Sequence, residues 1–170
     1  VIQLILTLAL ISFGTAQLVA GPLSDRYGRR PMILAGLCLF TAGSLVSALA
    51  PSPAIVILGR VLQAGGGAMS FVLSRTIVHD TNDRATATTI ISYMVMAMML
   101  APMVASVMGA FMAEHVGWRW IFALISAIGL VLLALAARRL PETNPLAGSG
   151  RGIGTILREA RALFTIPLFW

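Results

Sequence analysis

The sequence contains no lysine: all twelve basic residues are arginine, and only six acids stand against them. Charged residues make up 11% of the chain, whereas 58% is hydrophobic. A soluble domain of this length could not bury so much apolar surface, so composition excludes a water-soluble fold and points to a bilayer. Without lysine there is also no phosphate-binding loop of the Gly-x-x-x-x-Gly-Lys type, which argues against ATP-driven chemistry. The single cysteine, Cys38, excludes an intrachain disulfide and a metal cluster. Placed among apolar neighbours, it is expected to be an inert packing residue. The histidines, His79 and His115, fall at the ends of apolar runs and read as solvated positions. The net charge of +6 does not describe a nucleic-acid-binding face. The arginines sit in short breaks between apolar runs, which is the positive-inside pattern of membrane proteins.

Those apolar runs cover residues 1–20, 31–50, 53–78, 85–113 and 118–137, each near the roughly 20 residues a helix needs to cross a bilayer. The third and fourth are longer and are expected to overhang or tilt. Arg26, Arg29, Arg30, Arg75, Arg84, Arg138 and Arg139 fall on one side, and Arg119 alone falls on the other. The arginine-rich side is therefore expected to be cytoplasmic, with Trp118, Trp120 and Phe122 in an outer aromatic belt. On this topology the first run enters from outside without a flanking loop, so a preceding helix is expected. Pro141 and Pro145 end the fifth run. Within 138–165, Ile153, Ile156, Leu157, Ala160 and Phe164 recur at helical spacing opposite Arg151, Arg158, Glu159 and Arg161. A short amphipathic helix on the membrane surface is expected there, and residues 166–170 read as the approach to a further span.

Between the first two runs lies Gly21-Pro22-Leu23-Ser24-Asp25-Arg26-Tyr27-Gly28-Arg29-Arg30-Pro31. It reads as a tight turn, with Gly28 left-handed and Pro31 in the first turn of the next helix. Asp25, at a helix C-terminus, is disfavoured by the dipole and needs a basic partner, for which Arg26, Arg29 or an arginine of another helix is in reach. Taken by itself this is a basic topogenic loop. Its spacing, however, resembles the signature between helices two and three of the major facilitator superfamily, Gly-x-Leu-Ala-Asp-Arg-x-Gly-Arg-Lys, with Ser24 for alanine and Arg30 for lysine. The resemblance implies that Gly21, Asp25, Arg26, Gly28, Arg29 and Arg30 help hold a cytoplasmic gate.

Arg60 lies within the third run, in Gly59-Arg60-Val61-Leu62-Gln63-Ala64-Gly65-Gly66-Gly67. A guanidinium at a helix centre costs on the order of 3 kcal/mol on insertion scales. Arg60, Gln63, Gly67, Ser70 and Ser74 fall at i, i+3, i+7, i+10 and i+14, a polar stripe that should face a cavity or polar partner. The alternative is an arginine that snorkels outward as an anchor. The pattern resembles the superfamily's fourth-helix signature, whose arginine is linked to proton coupling. Arginine does not release a proton near neutral pH, so Arg60 would act on a neighbouring acid. None is obviously placed to be that acid. The first run carries its own polar line, Gln3, Thr7, Gly14, Gln17 and Gly21, which suits a cavity or gate helix.

In the fourth run Ala97, Ala101, Ala105 and Gly109 recur every four residues beside Pro102 and Ser106. Ordinary small-residue packing, with a kink at Pro102, explains this spacing. Ala101, Ala105, Ser106 and Gly109 also resemble the antiporter signature Gly-x-x-x-Gly-Pro-x-x-Gly-Gly, with Ser106 in place of its proline. Seven of the nine methionines lie in this run, as packing, lipid-facing or ligand-accommodating residues.

Arg60 to Asp80, Trp118-Arg119-Trp120-Ile121-Phe122 and Leu140-Pro141-Glu142-Thr143 further resemble the bicyclomycin/chloramphenicol-resistance branch. The resemblance covers nearly the whole chain. It implies an all-α membrane protein forming most of the N-terminal half of a 12-helix fold in a bacterial inner membrane, helices two to six of a drug:proton antiporter. Such a carrier works with lipid, a small-molecule substrate, protons and its remaining helices, and uses the proton gradient with no cofactor. A symporter or uniporter for a sugar or organic acid is the alternative. A non-transporting scaffold, or an enzyme, leaves Arg60 unexplained, and the acids lie near span ends or in loops, away from any convergent intramembrane site.

Overall fold

In a computed structural model, residues 2–143 are described. The amphipathic helix expected around residues 153–164 and the start of a further span at 166–170 lie outside them. Every regular element among the described residues is a helix: α1 (Ile2–Tyr27), α2 (Arg29–Ala48), α3 (Pro53–Thr81), α4 (Arg84–His115) and α5 (Trp118–Arg139). All five are long and apolar enough to cross a membrane. A helix satisfies its backbone groups internally, the condition that hydrocarbon imposes on any spanning segment.

The reversals are short, so successive helices run antiparallel. The first is a correction to the expected turn. Residues 21–27 continue α1, and Gly28 alone breaks the chain, at φ 100°. A residue with a side chain is strained at that φ, and a Cβ there would also lie 2.6 Å from a Glu142 carboxylate oxygen. α2 stops at Ala48 because Ala50, preceding Pro51, is disfavoured in the helical region. α4 begins at Asp83, whose Oδ2 accepts from the amides of Ala85 at 3.1 Å and Thr86 at 3.2 Å. Hydrogen bonds from the Thr86 side chain and these amides hold the Asp83 carboxyl below the usual carboxylate range. α3 and α4, at 29 and 32 residues, are about 43 and 48 Å long and overrun the hydrocarbon.

α2 and α3 meet backbone to backbone at two levels. A Cβ on Gly66 would strike the Gly36 carbonyl and the Phe40 amide; one on Gly43 would strike the Gln63 amide and sit 2.5 Å from the Gly59 carbonyl. Glycine is required there for contact and not for torsion. α5 closes on the other side of α2, with Gly129 against Thr41 and Phe40. α1 joins α3 through a Ser12 hydroxyl bond to the Val61 carbonyl at 2.8 Å. At the arginine-rich end Met32, Ile33 and Leu73 form the apolar core, with Leu23, Ile77 and Leu140 packed on it. α4 stands apart: only Ala87 of its residues is buried. Cys38, expected to pack, is exposed on α2, because the glycine face of that helix takes the close contact and turns Cys38 away. The polar line of α1 is not covered either: a Cβ placed on Gly14 or Gly21 would meet nothing within 4 Å.

Gly66→Val should therefore destabilise the detergent-solubilised full-length protein by about 1–3 kcal/mol through overpacking. Gly14→Ala should leave its thermal midpoint unchanged or slightly raised. Equal midpoints for the two variants would refute the backbone contact.

Candidate functional site

At the arginine-rich end, the Gly28 reversal brings Arg29 to the junction of three helices. Its Nη1 donates to Asp25 Oδ1 of α1 at 2.6 Å and to the Ser24 hydroxyl; its Nε donates to Asp80 Oδ2 of α3 at 3.1 Å. Arg29 is thus the compensating charge for Asp25. Arg26, the other candidate in the loop, instead lies over the Tyr27 ring at 5.3 Å. Arg30 Nη2 donates to the Ala137 carbonyl near the end of α5 at 2.9 Å, where a cation also suits the helix dipole.

Gly28 has no side chain with which to cap α2. The Glu142 carboxylate does so from beyond α5, accepting from the Arg29 amide at 2.8 Å and the Arg30 amide at 3.1 Å. A carboxylate at a helix N-terminus satisfies orphan amides and complements the dipole. One buried hydroxyl, carboxylates from three helix ends and two arginines thereby fasten α1, α2, α3 and α5 together. Asp25 is 57% exposed, so its ion pair with Arg29 contributes little by itself. What the cluster fixes is the relative register of four helix ends.

The second site lies within the membrane. Arg60 Nη1 donates to Gln63 Oε1 at 2.7 Å, Gln63 Nε2 donates to the Ser44 hydroxyl at 2.8 Å, and Ser44 donates to the Phe40 carbonyl at 2.7 Å. Gln63 and Ser44 are buried, at 5% and 0% exposure. The guanidinium carbon also lies 5.6 Å from the centre of the Phe122 ring on α5. The Arg60 head is thus tied to Gln63 on its own helix and set against the Phe122 ring of α5. Beside it opens a cleft of about 510 Å³, lined by Phe13, Phe40, Arg60, Gln63, Gly67 and Ile125 among others. Its walls are apolar except for Arg60 and Gln63.

The expected stripe is shorter than its sequence spacing. Ser70 returns its hydroxyl to the Gly66 carbonyl and Ser74 to the Phe71 carbonyl. Both hydroxyls are back-bonded to the helix's own carbonyls, and neither serine lines the cleft. The small-residue positions of α4 form no part of this cleft. Ala101, Pro102, Ala105 and Ser106 are exposed and Gly109 is half-buried. Ala105 and Gly109 border a separate gap of about 180 Å³ against α5. Ser106 Oγ donates to the Pro102 carbonyl at 2.7 Å, so the hydroxyl is spent locally. His79 and His115 are exposed, the latter stacked on Phe111 with ring centroids 4.2 Å apart.

A sequence model of the Major Facilitator Superfamily matches residues 1–170. The chain belongs to that superfamily, a family of transporters, and is a multi-pass membrane protein. It is 38% identical over 165 residues to a chloramphenicol resistance protein of Pseudomonas aeruginosa, covering 95% of this chain and 39% of the relative. It is 31% identical over 147 residues to multidrug resistance protein D of Escherichia coli (strain K12), covering 85% of this chain and 37% of that one. An uncharacterized transporter of Rickettsia bellii is 32% identical over 143 residues, 84% of this chain and 35% of its own length. The chain thus spans little more than a third of the curated relatives it matches.

Sequence reasoning singled out Arg29 and Arg60 but not Ser44 as the anchor of Gln63, nor Glu142 as the cap of α2. The signal for the second was the glycine at the cap position: a helix start with no capping side chain needs an acceptor from elsewhere. Glu142→Ala should lower the stability of the full-length protein by about 1 kcal/mol, the usual loss for a helix cap. Glu142→Gln should lose less, since its amide oxygen still accepts. Thermal denaturation of the three proteins at neutral pH reads the order, and an unchanged midpoint in Glu142→Ala would refute the cap.

Proposed function

We propose that the whole protein exports small amphipathic compounds by proton antiport, its two halves rocking about a midplane site. The observation that carries this reading is the Arg60–Gln63–Ser44 chain beside an apolar cleft of about 510 Å³. An arginine at this depth is costly to insert, which favours a functional role over an anchor. The names of the Pseudomonas and Escherichia relatives support drug export. Their shared superfamily supports transport, and the reading adds alternating access powered by the proton gradient with no cofactor.

On this reading the arginine-rich end is cytoplasmic, in the inner membrane. Asp25, Arg26 and Arg29, with Gly21, Gly28 and Arg30, form part of a gate that closes against the remaining helices. Arg60 stays charged and tunes the proton affinity of a carboxyl elsewhere in the protein, with Gln63 fixing its head and Gly67 leaving room beside it. A metabolite symporter or uniporter is the second reading. The observation that favours it is Ser106, with Ala101 and Ala105, where the antiporter signature has proline and glycines.

The test is expression of the full-length gene in an efflux-deficient bacterium, challenged with an antibiotic panel with and without a protonophore. Export by proton antiport should raise resistance to several compounds, and the protonophore should abolish it. Arg60→Ala should insert normally yet lower proton-driven efflux by about tenfold or more, and Asp25→Asn should impair efflux without loss of insertion. Wild-type efflux that ignores the protonophore, or pH dependence unchanged in Arg60→Ala, would refute proton coupling.

A further inference from the structure

α3 carries a second arginine on the same face. Arg60, Ala64, Gly67, Phe71 and Arg75 fall at i, i+4, i+7, i+11 and i+15 of one uninterrupted helix, and the first three of them line the cleft. The Arg75 guanidinium carbon sits 4.5 Å from the centre of the Phe71 ring, one turn back along the helix. α3 ends at the arginine-rich surface, so an arginine near that end that merely snorkelled would reach forward to it. Arg75 leans the other way, toward the membrane interior. Its Nε is buried and has no hydrogen-bond partner among the described residues. A buried donor left unmade is expensive, most of all on a charged group.

We propose that Arg75, seated on Phe71, is an oxyanion-binding station for the transported solute, one that takes a carboxylate attached to an apolar or aryl body. The inference rests on the transporter reading and names a substrate class for it. The guanidinium fork matches the planar, two-oxygen geometry of a carboxylate, and the ring beneath it holds the fork flat. Neither Phe71 nor Arg75 lines the cleft itself; Phe71 is one turn beyond Gly67, so the head of Arg75 lies about 6 Å along the helix axis from the cleft's last lining residue on α3. An organic acid can rest its body among Phe13, Phe40 and Ile125 and extend its charge toward Arg75. Among the described residues no carboxylate lines that cleft, and its one charged wall residue is Arg60. The lining is therefore hostile to a cation and favourable to an anion. Of the two arginines, Arg60 already spends an N–H on Gln63, while the Nε–H of Arg75 is unspent.

The experiment measures binding of 2-naphthoate, 2-naphthamide and 2-naphthylmethylamine to the purified full-length protein in detergent. The three probes share one ring system and differ in charge. The wild type should prefer the naphthoate about tenfold or more over the other two, the worth of a charged hydrogen bond. Arg75→Gln should erase that preference and leave naphthamide binding unchanged. Arg75→Lys, which keeps the charge but loses the fork, should retain part of it and serves if the glutamine variant does not fold. Absence of a preference in the wild type would overturn the proposal. So would its survival in Arg75→Gln, its loss in Arg60→Gln alone, or an equal loss of all three probes, the behaviour of an arginine held by a carboxylate of the protein itself. Binding is read without a proton gradient, so a failure here is distinct from a failure of proton-driven export, which the efflux assay reads.

Discussion

The close contact of α2 with α3 is the constraint on which the intramembrane site depends. Two glycines from each helix bring backbones together where side chains would hold them apart. The level of Gly43 and Gly59 is also the level of Ser44 and Gln63. Only because the Gly43 surface lies against the Gln63 backbone does the Gln63 amide reach across to the Ser44 hydroxyl at 2.8 Å. Gln63, once held, turns its oxygen to Arg60. The direction of a cation in the membrane is thus set by residues that carry no charge. It would be lost by adding a methyl group to a glycine that touches neither the cleft nor the arginine.

The other end of the bundle solves a different problem. A reversal of one residue saves loop length but leaves the first amides of α2 with nothing local to bond. Glu142 supplies that acceptor from 113 residues away along the chain. Because Pro141 stops α5 just before it, the carboxylate is delivered at a fixed place. Arg29 and Arg30 then act twice: their amides bind Glu142, while their side chains reach α1, α3 and α5. Such exposed bonds are individually weak and sensitive to salt. On the gate reading proposed above, weak, numerous and exposed contacts between helix ends suit opening and reclosing, since no single one has to be broken at great cost.

How much of this the sequence disclosed follows from the range of each signal. Hydropathy and arginine placement are local, and they located five helices and the charged end. Arg60 was conspicuous because a charge within an apolar run has few explanations. Residues 21–31 read as a turn because Gly28 allows a left-handed conformation and Pro31 suits the first turn of the next helix. The structure needs only Gly28 to break, as α1 absorbs Pro22 within its length. Ser70 and Ser74 matched the stripe by period, but period does not say that a serine will bond its own helix. Gly36 and Gly43 were silent, because a glycine that touches another helix looks the same in sequence as one that touches nothing. Gly14 and Gly66 differ only in the fold.

The contacts of both α3 arginines with groups of the chain itself are the least expected feature, and energetics gives them meaning. A guanidinium in the hydrocarbon costs on the order of 3 kcal/mol, and near either surface most of that is recovered by reaching for water. Arg60 and Arg75 stand near opposite ends of α3, one held by Gln63 and Phe122, the other over Phe71. A hydrogen bond from a charged donor returns about 1.5–3 kcal/mol and a cation–ring contact about 1 kcal/mol, so these contacts offset much of that cost. Arg60, the one charged residue in the wall of a cleft that is otherwise apolar, creates a positive potential there, and in a low dielectric such a potential acts over several ångströms with little screening. Any group that crosses this wall, whether a proton on a nearby carboxyl or a charge on a solute, is biased by it. On the transporter reading proposed above, that bias is what distinguishes Arg60 from an inert anchor.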